Sequence, residues 1–316
     1  FTSYGKALTA RVTDAAGKPV SGITVVFELP GSTANGTFAA WPIVVTDANG
    51  VATAPVLTAN TMAGSFTVNV WVAGVGVPAS FTLTNNAGQP ASVTISSGNS
   101  QSAVVTKAYK NTLQVGVADQ FGNPVAGVKV TFTAPNNGPG GTFAGKLTAT
   151  TNANGVAIAP AFTANAHPGG FTVVASISGA NTSFSLTNLV GPAAKIVAVC
   201  KTTPQTTTAG SAFAIDLGVV VTDSVGNDVP GVLVTFTIHA NATNGASGTF
   251  GGSSTATATT NATGVATAPQ LIANAKKGTF TVVASIAGLT PTSLFTRTVA
   301  SIAGLIQTPV FTLTID

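Results

Sequence analysis

The sequence predicts an all-β chain of three tandem antiparallel β-sandwiches. Three observations carry this: a threefold internal repeat, a two-residue alternation of apolar side chains, and Gly, Asp and Asn turn signals between the alternating runs. The repeat is clearest at Val12-Thr-Asp-Ala-Ala-Gly-Lys-Pro-Val-Ser-Gly-Ile-Thr-Val-Val-Phe27, which returns at residues 117–132 and 221–236. Its aspartates, Asp14, Asp119 and Asp223, stand 105 and 104 residues apart. That period is too long for a solenoid unit and suits one whole sandwich domain.

A second block, Thr46-Asp-Ala-Asn-Gly-Val-Ala-Thr-Ala-Pro-Val-Leu-Thr-Ala-Asn60, recurs at 151–165 and 260–274, and each copy leads into a Phe-Thr-Val run at Phe66, Phe171 or Phe280. Within a repeat, Phe171, Val173, Ala175 and Ile177 alternate with Thr172, Val174, Ser176 and Ser178, the period of a half-buried strand. Turn signals such as Asp119-Gln-Phe-Gly122 and Asn152-Ala-Asn-Gly155 separate the runs. Matched phenylalanines supply each core: Phe27, Phe132, Phe236; Phe38, Phe143, Phe250; Phe66, Phe171, Phe280; Phe81, Phe184, Phe295. Short strands, turn punctuation and a period near 105 together point to the immunoglobulin-like form of the sandwich.

The order Val-x-Asp-x-x-Gly-x-x-Val-x-Gly-x-x-Val-x-Phe, Gly-Thr-Phe, Thr-(Asp/Asn)-x-x-Gly-Val-Ala, Gly-x-Phe-Thr-Val and Phe-Thr-Leu-Thr-Asn resembles the bacterial Ig-like domains, group 1, of the invasin and intimin adhesin family. The resemblance covers nearly the whole chain in three copies. It implies an extracellular array of stacked domains that serves as a stalk or adhesin, and it implies no catalytic site. The C-type lectin-like receptor-binding tip of invasin and intimin has no counterpart in these residues.

Composition narrows the function classes. Of 316 residues 45% are hydrophobic and only 6% charged, against about 25% charged in an ordinary soluble domain. The net charge of +4 is spread thinly, with Lys107/Lys110 and Lys276/Lys277 the only close basic pairs, too few to track a phosphate backbone. Nucleic acid is therefore excluded as a partner. The single Cys200 excludes an internal disulfide and a cysteine metal cluster. No apolar run approaches the roughly 18–20 residues of a membrane-spanning helix. With no signal peptide in view, Phe1 reads as a processed or otherwise cut start.

Chemistry is sparse. The acids and imidazoles are Asp14, Glu28, Asp47, Asp119, Asp216, Asp223, Asp228, Asp316, His167 and His239. Most of the acids recur at turns, where a carboxylate caps its own backbone, and the histidines have no ligand-spaced neighbours. The expectation is no catalytic residue, no cofactor and no metal site; the alternative for the turn aspartates is calcium held between domains, mainly by carbonyls. Asn35, Asn181, Asn241 and Asn261 head glycosylation sequons, which arise readily by chance in so Thr-rich a chain.

The repeats divide the chain into domain 1 (1–88), domain 2 (89–190), domain 3 (191–299) and a tail (300–316). Domain 2 opens with Gln89-Pro-Ala-Ser-Val-Thr-Ile95 and domain 3 with Gly191-Pro-Ala-Ala-Lys-Ile-Val-Ala-Val199. Domain 1 has no such Pro-led first strand, so its sandwich is expected to lack an edge. The tail holds a surplus one, Thr308-Pro-Val-Phe-Thr-Leu-Thr-Ile315. Pro309, Phe311, Leu313 and Ile315 are thus expected at an interface, the tail filling domain 1 of the next copy in a head-to-tail extracellular filament. Three alternatives stay open: an adhesin stalk at the cell surface, a fragment of a longer array, or a self-contained extra hairpin, since Val283–Leu289 recurs as Val299–Leu305. Partners are accordingly other copies of the chain, or a surface receptor or glycan. Trp71, on the polar side of its strand, and Trp41, aligned with Lys146 and Ser253, either cover local backbone or serve an interface or sugar-stacking role.

Overall fold

The computed structural model describes residues 2–199, 202–289 and 293–300. Domain 1 contains β1 (Thr9–Arg11), β2 (Thr24–Glu28), β3 (Gly36–Phe38), β4 (Ile43–Val45), β5 (Val51–Thr53), β6 (Leu57–Ala59), β7 (Gly64–Val72) and β8 (Ala79–Asn85). Domain 2 contains β9 (Ser92–Ser97), β10 (Gln101–Val104), β11 (Gln114–Ala118), β12 (Lys129–Thr133), β13 (Gly141–Phe143), β14 (Thr148–Thr150), β15 (Val156–Ile158), β16 (Phe162–Ala164), β17 (Gly169–Ile177) and β18 (Ala180–Leu189). Domain 3 repeats that set as β19 (Lys195–Ala198), β20 (Gln205–Thr208), β21 (Gly218–Thr222), β22 (Leu233–His239), β23 (Gly248–Phe250), β24 (Thr255–Thr259), β25 (Val265–Thr267), β26 (Leu271–Ala273), β27 (Gly278–Ser285) and β28 (Ser293–Ala300). No helix occurs among the described residues.

In domains 2 and 3 a five-stranded sheet, β10-β18-β17-β12-β14 or β20-β28-β27-β22-β24, faces a three-stranded one, β15-β11-β9 or β19-β21-β25. A small ladder, β13-β16 or β23-β26, closes one side. All pairs are antiparallel except β10 with β18 and β20 with β28, which run parallel. In domains 2 and 3 the opening segment therefore serves both sheets, first beside β11 or β21 and then beside β18 or β28.

Alternation places the core as the sequence predicts. Phe27, Phe132 and Phe236 are fully buried, and the other matched phenylalanines are buried in or packed against the same three clusters. Burying each such ring contributes about 1.5–3 kcal/mol. Gly50, Gly155 and Gly264 close equivalent turns at φ of +70°, +70° and +67°, and a Cβ there would lie 2.6–2.7 Å from the carbonyl oxygen of Val12, Val117 or Val221. Only glycine meets both demands.

Candidate assembly interface

The distinguishing feature of domain 1 is what its edges meet. Among the described residues β1 pairs only with β5, and β8 only with β7. The equivalent strands β11 and β18 are each closed on the outer side by β9 and β10. Packing registers the difference at matched positions. Val115 and Val117 are buried opposite Ile95 and Val93, and Val219 and Val221 are buried opposite β19, whereas Ala10 and Val12 are half-buried. On the other sheet Phe184 and Leu186 are buried beside β10, but Phe81 and Leu83 are half-buried. Among the described residues no strand lies on the outer side of either edge, and an unpartnered edge is a template for a further strand. Pro309, Phe311, Leu313 and Ile315, the residues expected to fill such an edge, lie outside the described residues.

A second difference lies on the outer face of the larger sheet. Strand register sets Ile43, Val26 and Trp71 side by side across β4, β2 and β7. The same row is Thr148, Thr131 and Ser176 in domain 2, and Thr257, Thr235 and Ser285 in domain 3. Trp71 thus sits on a central strand rather than a loop, 38% exposed, with its indole Nε1 donating to Glu28 Oε2 at 2.7 Å. Trp41, in the β3–β4 connection, is 84% exposed, too open to shield local backbone. Together with Glu28, Leu29, Pro42 and Ile43 the two indoles line an open groove of about 630 Å³. The alignment of Trp41 with Ser253 is corrected by register: Thr255 pairs with Thr237, the position equivalent to Glu28, so Thr255 holds the place of Trp41. The Gly251-Gly252 turn before β24 displaces the sequence match by two residues.

The joints between domains are built from the repeated turn itself. Asp119 Oδ1 accepts from the N–H groups of Phe121 and Asn123, as the turn chemistry predicts. Its Oδ2 accepts from the Gly88 N–H at 2.8 Å, in the linker from domain 1, and from Asn123 Nδ2 at 2.9 Å. Asn123 then reaches into domain 1, donating to Thr61 O at 2.7 Å and accepting from the Ala63 N–H at 2.9 Å. The second joint repeats this with Asp223, Gly191 and Asn227, whose Nδ2 donates to Ala166 O at 2.9 Å. The position matching Ala63 is Pro168, which has no N–H to offer, so the second joint lacks that bond. In domain 1 the turn carries Lys18 where the others carry asparagine.

Burial pushes the Asp119 carboxyl up, but the bonds from Asn123, Gly88 and Phe121 outweigh it and hold the group at about 2. Asp223 is lowered for the same reasons. A carboxylate ringed by N–H donors has no free direction for a cation, which argues against calcium at these joints. Among the described residues no group of three His, Cys, Asp or Glu converges as a metal set, and His167 and His239 are exposed.

Known structures locate this architecture. No protein-family profile matches the chain. It superposes on the FdeC adhesin of Escherichia coli with a TM-score of 0.54 and 20% identity over 94% of this chain and 93% of that one. The fold is a tandem array of immunoglobulin-like β-sandwich domains. InvD of Yersinia pseudotuberculosis is similar to this Ig-like array with a TM-score of 0.50 and 17% identity, over 93% and 92% of the two chains. Invasin, a bacterial integrin-binding protein, gives 0.48 and 20% identity, and this array spans 57% of that chain.

Proposed function

We propose that the chain is a structural subunit of an extracellular filament, joined head-to-tail when residues 308–315 of one copy complete domain 1 of the next. One observation carries the reading: matched core positions are sealed in domains 2 and 3 by the domain's own opening strands and are half-open in domain 1. The tail suits that open edge. Leu313-Thr-Ile315 has the alternation of Val93-Thr-Ile95, so Leu313 and Ile315 would lie opposite Val12 and Ala10 as Val93 and Ile95 lie opposite Val117 and Val115. Strand addition supplies ladder hydrogen bonds and seats alternate side chains in the core, and a head-to-tail contact that does not close on itself propagates.

A second reading, the stalk of a cell-surface adhesin, is favoured by the adhesins among its structural neighbours and by the hydrogen-bonded joints, which suit a stiff spacer. Both readings are mechanical rather than catalytic and place the chain outside the cell. Negative-stain electron microscopy of the chain, beside a version lacking residues 301–316, separates them. Filaments that vanish with the tail are expected; separate three-domain rods from both samples would leave the stalk.

A further inference from the structure

The last strand of each domain points three alternate residues inward. They are Phe81, Leu83 and Asn85 in β8, Phe184, Leu186 and Asn188 in β18, and Phe295, Arg297 and Val299 in β28, in one register against β7, β17 and β27. The change at the third place is compensated. Asn85 and Asn188 accept from the hydroxyls of Tyr4 and Tyr109 at 2.6 and 2.7 Å, and domain 3 carries Phe213, with no hydroxyl, in the same core cluster as Val299.

Nothing among the described residues compensates the second place. Arg297 is 0% exposed, all three guanidinium nitrogens lack a hydrogen-bond partner there, and its guanidinium carbon lies over the Phe213 ring, 5.2 Å from the centroid. Burial lowers its pKa to about 10. A cation–π contact recovers only part of what it costs to strip water from a guanidinium. Sixteen residues further on, the sequence offers Phe311, Leu313 and Ile315 in the same phase, after a repeat of Val283–Leu289 at Val299–Leu305. There, leucine stands where arginine is buried, as in domains 1 and 2.

We propose that the last-strand slot of domain 3, between β27 and β20, is a binding site for residues 311–315 of the same chain, which compete there with β28. Phe311, Leu313 and Ile315 replace Phe295, Arg297 and Val299, and the cation returns to water. The price is a longer connection after Ser285, and closure entropy grows only logarithmically with length. This inference rests on the strand-donation reading for its consequence. A tail seated in its own domain 3 is withheld from domain 1 of the next copy, so the slot caps the free subunit, and β28 refills it when the tail is donated.

Disulfide trapping in a Cys200→Ser background tests this. Thr281 lies opposite Thr296, so Thr281→Cys with Thr296→Cys reports β28 in the slot, and Thr281→Cys with Thr312→Cys reports the tail. In monomeric protein the second pair is expected to close within one chain, and adding Arg297→Leu should cut its yield severalfold while raising that of the first. Closure of the first pair alone, or a yield of the second indifferent to Arg297→Leu, would overturn the proposal. Closure of the second pair between different chains, rather than within one, would likewise overturn self-capping. Filaments without the intrachain bond would leave strand donation standing and remove the cap; the intrachain bond without filaments would do the reverse.

Discussion

Domains 1 and 2 share eight equivalent strands, yet among the described residues strands β9 and β10 flank β11 and β18 in domain 2 and no strand flanks β1 or β8 in the same places in domain 1. The same phenylalanine–leucine pair is sealed in β18 and half-open in β8. The same outward row is Thr-Thr-Ser in one and Ile-Val-Trp in the other. The same turn ends in Asn123, which ties domain 2 to domain 1, and in an exposed Lys18 in domain 1. A repeat fixes the fold through its inward residues and leaves edges, outer faces and joints free to diverge. Interaction is therefore to be sought where the copies differ.

The largest expected effect is at the sealed edge. Phe184→Ala should cost about 3–5 kcal/mol, and Phe81→Ala, at the open edge, roughly half of that, by denaturant unfolding of the monomer; equal losses would break the comparison. Next come the joints. Asn123→Ala should cost about 1–3 kcal/mol and widen the distribution of domain 1–domain 2 angles in small-angle scattering. Asn227→Ala should do less, because Pro168 already removes one bond; the reverse order would refute the account of the joints.

Acid is the third lever. Since Asp119 is held at about 2, below its unfolded value of 3.8, its stabilisation is complete above pH 4 and is lost as pH falls through 2. Melting temperature should therefore drop between pH 4 and pH 2, and Asp119→Asn should flatten its share of that drop. The smallest effects belong to the outer face. Trp71→Ser, which restores the polar row, should cost about 1 kcal/mol or less, and Trp41→Ser less than about 0.5 kcal/mol, both by thermal melts.

Much of this was legible in the sequence because core positions repeat: alternation located the inward phenylalanines, and Asp-x-x-Gly located the turns. Reach across the joint was not legible, because a turn signal does not reveal which linker lies beside it. The asparagine four residues after Asp119 and Asp223, against Lys18 after Asp14, was the available clue. The Ile43–Val26–Trp71 row needed three-strand register, and sequence spacing misplaced the partner of Trp41 where a glycine turn lengthened domain 3. Burial of Arg297 could have been read directly, since it stands in the phase of Leu83 and Leu186.

Intermolecular trapping at the open edge tests the central claim most directly. In domain 2 the exposed Thr94 lies opposite Gly116; on the strand-donation proposal the matching pair would be Thr314 of one copy and the exposed Arg11 of the next. With Cys200→Ser, Arg11→Cys and Thr314→Cys together should give a ladder of disulfide-linked chains on a non-reducing gel, and Arg11→Cys with Thr312→Cys, one pair out of register, should give less. Monomer alone from the first pair, at concentrations where the unmodified chain assembles, would contradict strand donation to domain 1.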